Sequence, residues 1–584
     1  SFEFCKSFNI NAGGAVNGLI GTRNNASLYV NGGGSINNAG DRALTVTASQ
    51  LYIGTDISGQ NAIVNGDIAL LQSSTAELGN AVINGTIFID DNSSMHTGSG
   101  TTINADGVST SLNGVVIENS SITVDGSTIN SAGASHGGMQ ISSNSTRPGS
   151  PVTAATLSNA NISSKNGWGI FAVARFDGRT DVDISGGRIN TEGSAAAVIA
   201  VASKTTVNIA NGAHISSSGI GTEAIQMISG ASVNVGSQAI IHGNGNGVSI
   251  ISQVGSGYVD NVNTLTINNA SVVGDIGSAI QVTDSIANIN VQNGSILNGG
   301  NGNLLLVKGR TSIANATIDN SVLFGNVVAE TGSRADITLQ NHASLTGQLI
   351  NVANLAVNNN STWKMTGNGN VAAVSLDGGT INFNSGDVFR TLTLGVLSGK
   401  GTFLMGTDLA QHTGDLLQIT GIASGDHTLH IKNTGIEPIR GDDALKIVET
   451  GGGDAQFGAL GGKVDAGVYK YKLKQHGSDW FLEQSVSDIG KPIVTPSTDI
   501  VLGLFNTSPS VWYGEMSSLR SRMGELHLGK IDGGIWARTY GRGYSVDSGV
   551  GLGYKQDQSG LSVGADVPVA IRNGKLLLGA LGGY

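Results

Sequence analysis

"GIFAVARFDGRTDVDISGGRI" (residues 169–189) is followed closely by "AAAVIAVASKTTVNIANGAHI" (195–215), and the two segments share one plan. Each has an apolar strand, a short polar turn, an alternating strand, an Asn/Gly/Ser turn and a further apolar run. "EAIQMISGASVNVGSQAII" (223–241), "SAIQVTDSIANINVQNGSIL" (278–297) and "NLLLVKGRTSIANATI" (303–318) repeat it. With the second strand as marker, Ile184, Ile209, Val235, Ile267, Val291 and Ile313 lie 25, 26, 32, 24 and 22 residues apart. One such unit cannot bury its apolar face alone, whereas stacked units form a continuous core and push insertions out as loops. The spacing therefore predicts coils of a right-handed parallel β-helix, an all-β solenoid. "GSGYVDNVN" (255–263), inside the 32-residue gap, is expected to be such a loop. A sandwich or propeller would need hairpin turns every 8–12 residues and no stacking period of this length. At about 4.8 Å per coil, coils over residues 1–484 would make a rod on the order of 100 Å long.

Composition agrees with many short strands and tight turns. The 584 residues include 88 Gly and only 7 Pro, with 12% charged and 39% hydrophobic residues. A disordered chain shows the opposite balance of charge and hydrophobicity, and no Gly-X-Y period marks collagen. The net charge of −11 speaks against nucleic acid as a partner. Cys5 is the sole cysteine, so neither an internal disulfide nor a cysteine metal site is available. No run of about 18 apolar residues forms a membrane helix. "SFEFCKSFNI" lacks the basic-then-apolar shape of a signal peptide.

Beyond about residue 390 the repeat frays and charged and aromatic residues increase. "LSGKGTF" (397–403), "GDLLQITG" (414–421), "DAGVYKYKL" (465–473) and "DWFL" (479–482) follow in that order. Together they resemble the C-terminal autochaperone part of a pertactin-like autotransporter passenger. An end cap is physically reasonable, because an open coil exposes unpaired strand edges and apolar core. The expected division is a β-helix over 1–389 and a cap over 390–484. A linker and helix would occupy 485–529, and barrel strands 530–584.

Ser508-Pro509 reads as a helix start, with a hydroxyl cap and Pro at the first helical position. Trp512, Met516, Leu519, Met523 and Leu526 then mark one face of a helix about 18 residues long. In the family that the chain resembles, this helix threads the pore of an outer-membrane barrel. "GGIWARTYGRGYSV", "SGLSVGADVPVA" and "KLLLGALGGY" follow as strand-like segments. Leu561, Val563, Ala565 and Val567 alternate with Ser562, Gly564 and Asp566, as in a membrane strand. A whole translocator needs roughly a dozen strands, so these segments are expected to open a barrel that is incomplete in this chain.

The search for chemistry returns fragments. Asp90-Asp91 and His242-Gly243 lie on unrelated coils, which weakens a polysaccharide-cleaving site of paired carboxylates. Gly133-Ala134-Ser135-His136-Gly137 fits G-x-S-x-G formally but sits in a Gly/Ser loop rather than a strand–turn–helix. No "GDSG" occurs, which argues against the protease branch of the family. His427 and His430 would face opposite sides of one strand and so make no metal pair. The chain is therefore expected to be no enzyme and to need no cofactor or metal. Arg440-Gly441-Asp442 spells the integrin-type tripeptide, although Gly-Asp is also ordinary turn chemistry. Lys470, Lys472 and Lys474 alternate with Tyr469 and Tyr471. They could meet acidic glycans or serve as a solvated row protecting a strand edge. Arg147, Lys165, Trp168, Arg175, Phe176 and Arg179 cluster in sequence as a second candidate.

The resemblance implies a surface-displayed adhesin of a Gram-negative bacterium, exported through the periplasm and held in the outer membrane by its C-terminal strands. Its partner would be a host matrix protein or glycan. Self-association between rods, as a biofilm factor, is the first alternative, and a β-helix polysaccharide-degrading enzyme is the second.

Overall fold

The structure is a computed structural model. It describes residues 2–4, 6–56, 59–105, 113–132, 137–145, 152–252, 262–386, 388–436, 438, 444–529, 533–547 and 553–584. Cys5, Arg147, Arg440-Gly441-Asp442, most of the Gly133–Gly137 motif and most of the 255–263 insertion lie outside the described residues.

Each coil contributes three strands, and each strand pairs in parallel with its counterpart one coil later. Ile170–Phe176 pairs with Val198–Val201, Thr180–Ser185 with Thr205–Ala210, and Arg188–Thr191 with His214–Ser217. The rod therefore has three faces around one apolar core. The sequence markers stack as expected from Ile184 through Ile209, Val235 and Ile267 to Val291. The last step differs. Val291 pairs with Ile318, 27 residues on, while Ile313 pairs with Ile286. An odd slip of five residues exchanges the two faces of a strand. Ile318 is the buried residue at 4% exposure, whereas Ile313 stands on the half-buried outer side.

Towards the C-terminus the strands lengthen. Gly369–Asn382 pairs with Thr391–Asp408, which pairs in turn with Asp426–Asn433, all in parallel. The direction then reverses. Asp479–Gln484 runs antiparallel to both Leu445–Thr450 and Tyr469–His476, closing the stack. An aromatic column runs through this end of the core. His427 lies between Phe403 and Phe457, with ring centroids 5.8 and 5.3 Å away, and Phe457 meets Trp480 at 5.8 Å. His427 is buried and His430 exposed, on opposite faces of their strand.

The segment expected to be a linker partly closes back on the cap. Lys470 N–H donates to Ile493 O, and Ser485 N–H donates to Lys470 O. The helix is longer than its sequence signals suggest, running from Pro496 to His527. Thr495 caps it, with Oγ1 accepting from Thr498 N–H, and Pro496 holds the first helical position. Ser508-Pro509 is thus an interior site, because the same cap-then-proline chemistry occurs earlier. The helix buries Ser510, Gly514, Ser518 and Arg522, one residue per turn, instead of the larger apolar stripe. Trp512 and Met523 are exposed.

That small-residue stripe lies on a separate antiparallel sheet of Gly534–Val546, Tyr554–Ile571 and Gly574–Gly583. The sheet alternates as expected. Ser562 and Asp566 are buried, while Leu561, Val563 and Val567 are exposed on the opposite face. Glycines let aromatic rings lie flat across the strands. A Cβ on Gly560 would be 2.6 Å from the Tyr540 ring, and one on Gly564 would be 2.5 Å from the Trp536 ring.

Candidate binding surface

With the branched residues turned inward, the outer faces of the rod present polar side chains in register. The clearest array is an asparagine ladder of six coils: Asn17, Asn37, Asn65, Asn84, Asn104 and Asn130. From Asn37 onward each Nδ2 donates to the Oδ1 one coil earlier, at 3.2, 2.7, 2.7, 3.1 and 3.0 Å. Its sequence signal is a repeated dipeptide, Val or Ile followed by Asn (Val16-Asn17, Ile36-Asn37, Val64-Asn65, Ile83-Asn84, Ile103-Asn104, Ile129-Asn130). The apolar member points inward and the amide outward, as strand periodicity requires.

The second candidate cluster separates in space. Lys165 and Trp168 precede the strand Ile170–Phe176, whereas Arg175, Phe176 and Arg179 lie at its far end. At about 3.3 Å per residue the two groups stand on the order of 20 Å apart. Trp168 packs against Phe171, 5.2 Å between rings, over an outward apolar cluster that includes Val173, Ile199 and Val201. At the other corner Phe176 is 70% exposed and has φ +55°. Positive φ is costly for a bulky residue and persists only where surrounding structure imposes it. Gly178 N–H donates to Arg175 O at 3.1 Å across the turn, and buried threonines bond the strand that leads into it: Thr180 Oγ1 donates to Val173 O at 2.9 Å, and Ala174 N–H donates to Thr205 Oγ1 at 2.8 Å. The corner is less basic than its sequence suggests. Arg179 pairs with Asp181 at 2.8 Å and Lys204 with Asp177 at 3.3 Å. Among the described residues, Arg175 has no ion-pair partner.

The lysine row lies in the antiparallel cap. Lys472 stands opposite Glu483, Lys470 opposite Asp465, and Lys474 pairs with Glu483 at 2.7 Å. His476 reaches the same carboxylate. These partners hold Glu483 below the usual carboxylate range, led by the hydrogen bond from Lys474. Tyr471 faces the core. Among the described residues, no group of three or more His, Cys, Asp or Glu side chains is arranged to hold a metal.

Residues 371–484, the lengthened strands and the antiparallel cap, match the pertactin family model. Autotransporter CRAC of Citrobacter rodentium is 33% identical over 290 residues, covering 46% of this chain and 17% of that protein. The chain is an autotransporter homologue with a pertactin-family domain. Autotransporter adhesin/invasin TibA of Escherichia coli O78:H11 is 32% identical over 290 residues, covering 38% of this chain and 29% of TibA. The match thus spans less than a third of either curated relative. The crystal structure of the Haemophilus influenzae Hap adhesin aligns over 82% of this chain and 64% of that one, at 17% identity and a TM-score of 0.34. The β-helix assignment rests on the strand register above. Autotransporter homologues are anchored in the outer membrane of Gram-negative bacteria with their passengers exposed.

Proposed function

We propose that the chain is the surface-displayed rod of an autotransporter adhesin together with the beginning of its membrane anchor, and that the rod binds a host matrix protein or glycan. The observation that carries the binding role is the Arg175–Arg179 corner. An aromatic ring is held out in a costly backbone conformation beside a guanidinium that has no ion-pair partner among the described residues, and buried threonines bond the strand backbone that leads into it. Exposed aromatic and Arg side chains on a rigid scaffold are what binding hot spots are made of. The relative TibA, an adhesin/invasin by name, points the same way. The anchor reading is supported by the C-terminal sheet. One face is apolar and exposed, while the other places Trp536, Tyr540, Ser562 and Asp566 towards the helix, as a barrel wall around a polar lumen would.

The asparagine ladder favours self-association as the second reading. Its repeat is that of stacked strands, about 4.8 Å, and a second copy of the rod matches that repeat over any length.

The test measures the chain and an Arg175→Ala/Phe176→Ala variant on immobilised matrix proteins and on a glycan array. Binding that the double substitution abolishes is expected. Shortening of a polysaccharide with product release would establish the enzyme alternative. Cell clumping that persists without any glycan or matrix protein, and that the double substitution leaves intact, would establish self-association.

A further inference from the structure

Where the rod passes into its cap, three parallel strands form an outer floor. Asn382, Leu404 and His430 stand side by side across Gly369–Asn382, Thr391–Asp408 and Asp426–Asn433, and Gly406 stands beside Lys432. A cleft of about 500 Å³ opens over this floor, within the roughly 300–1,000 Å³ range of small-ligand sites. Asn384, Ser385 and Phe389 make its wall.

That wall is held in place from behind. The carboxylate of Asp415, fully buried, accepts from Ser385 Oγ, from Arg390 N–H at 2.7 Å and from Gly406 N–H at 2.6 Å. Arg390 Nη1 in turn donates to Phe383 O and Asn384 O at 2.6 and 2.5 Å. Gly406 lets the wall come down close to the floor. A Cβ there would lie 2.6 Å from Ser385 Cβ and 3.5 Å from the Phe389 ring. A buried carboxylate with three donors costs too much to be incidental packing, and its effect is a cleft formed before any ligand arrives.

The lining has a distinct chemistry. Lys432 and His430 are exposed, and among the described residues neither has a carboxylate partner. Cap lysines elsewhere do: Lys446 pairs with Asp479 at 2.9 Å and Lys474 with Glu483 at 2.7 Å. Asn382 Oδ1 accepts from Asn384 N–H at 2.7 Å, leaving its amide N–H₂ to donate into the cleft. Leu404 and Phe389 supply apolar surface between these polar groups. An ammonium, an amide donor and a ring surface around a preformed polar cleft match a sugar ring with an anionic substituent. The C–H face would lie on Phe389 and Leu404, the hydroxyls would reach the asparagines, and the anion would reach Lys432. In a chain of net charge −11, a polyanion needs such a local site to bind at all.

We propose that this cleft binds one anionic sugar unit, carboxylated or sulphated, of a polysaccharide. The site is separate from the Arg175–Arg179 corner, so the two fail independently. Fluorescence anisotropy on the whole chain tests it. The probes are a labelled tetrasaccharide of alternating glucuronate and N-acetylglucosamine, its O-sulphated form, and the neutral N-acetylglucosamine tetrasaccharide. At least one charged probe should bind about tenfold or more tighter than the neutral one, since hydrogen bonds to an ionised group are the strong ones. The preferred probe tells carboxylate from sulphate. Lys432→Glu should abolish that preference, Lys432→Arg should keep it, and Arg175→Ala/Arg179→Ala should leave it unchanged. Lys432 is exposed, so these variants keep the fold, which circular dichroism verifies. The proposal is overturned by equal binding of the neutral probe, by no binding of either charged probe at millimolar concentration, or by unaltered binding to Lys432→Glu. It is also overturned if inorganic sulphate displaces the probe at concentrations equal to the probe's own.

Discussion

Arg522 of the helix and Asp566 of the antiparallel sheet form a two-pronged ion pair, with Nη2–Oδ1 at 2.7 Å and Nε–Oδ2 at 2.9 Å. Asp566 also accepts from Gly534 N–H at 3.0 Å, so one carboxylate joins the helix to two strands. Arg538 adds a second tie through Glu525. Besides Arg522 the helix buries only Ser510, Gly514 and Ser518, and Ser510 Oγ reaches Gln556 Oε1 at 2.6 Å. Asp566→Ala should therefore release the helix more completely than Asp566→Asn, which keeps an acceptor. Arg522→Lys should be intermediate, because a point charge cannot satisfy both prongs. Limited proteolysis within residues 496–527 of membrane-assembled protein reads the order. Equal protection of all three variants would remove the pair from any role in seating the helix.

The stacking register between Val291 and Ile318 makes a direct test of the fold. Ile318→Ala empties a buried position and should cost about 2–5 kcal/mol in local stability. Ile313→Ala, five residues earlier on the half-buried outer side, should cost about 1 kcal/mol or less. Hydrogen exchange of the flanking strands distinguishes them. The reverse order of sensitivity would show that the register is slipped.

The asparagine ladder predicts a dependence on position. Asn84 donates to Asn65 and accepts from Asn104, whereas Asn17 at the end of the ladder takes part in one bond. With a net worth of about 0.5–1.5 kcal/mol per hydrogen bond, Asn84→Ala should destabilise its coil about twice as much as Asn17→Ala. Measurement by local hydrogen exchange suits a rod whose coils unfold by neighbours. Equal effects would mean that the amides do not act as a connected array.

His427 should make the cap sensitive to acid. Burial between Phe403 and Phe457 pushes its pKa below the ordinary imidazole value, partly opposed by Ser424 O, which accepts from Nε2 at 3.1 Å, and by nearby Asp426. A lowered folded value means that the unfolded state takes up the proton first. The stabilisation is therefore complete above about pH 6.5 and is lost as pH falls through the folded value. Protease resistance of the cap should fall over that acid window in the native chain and much less in His427→Phe, which keeps an aromatic ring in the column. Superimposable pH profiles for the two proteins would assign the acid sensitivity elsewhere.

Period and composition were enough to read the rod. Branched residues alternating with polar ones every 25 or so residues have one economical solution, coils stacked on a shared core, and Ile184 through Val291 stack as their spacing predicts. The apolar and polar faces of the C-terminal strands were equally legible, because alternation is a local property. What needed the tertiary structure were relations between distant residues. Ile313 and Ile318 are equally hydrophobic, and only the neighbouring coil decides which one is buried. Arg175 and Lys165 are close in sequence but sit at opposite ends of a strand, while Arg179 acquires Asp181 as a partner. The helix selects its smallest residues for the sheet because Tyr540 and Gln558 leave no room for larger ones at Gly514. Asn382, Leu404 and His430 come together across three strands only through the parallel register at the end of the rod. Local patterning determines which way each side chain faces, and packing between coils determines what it meets there.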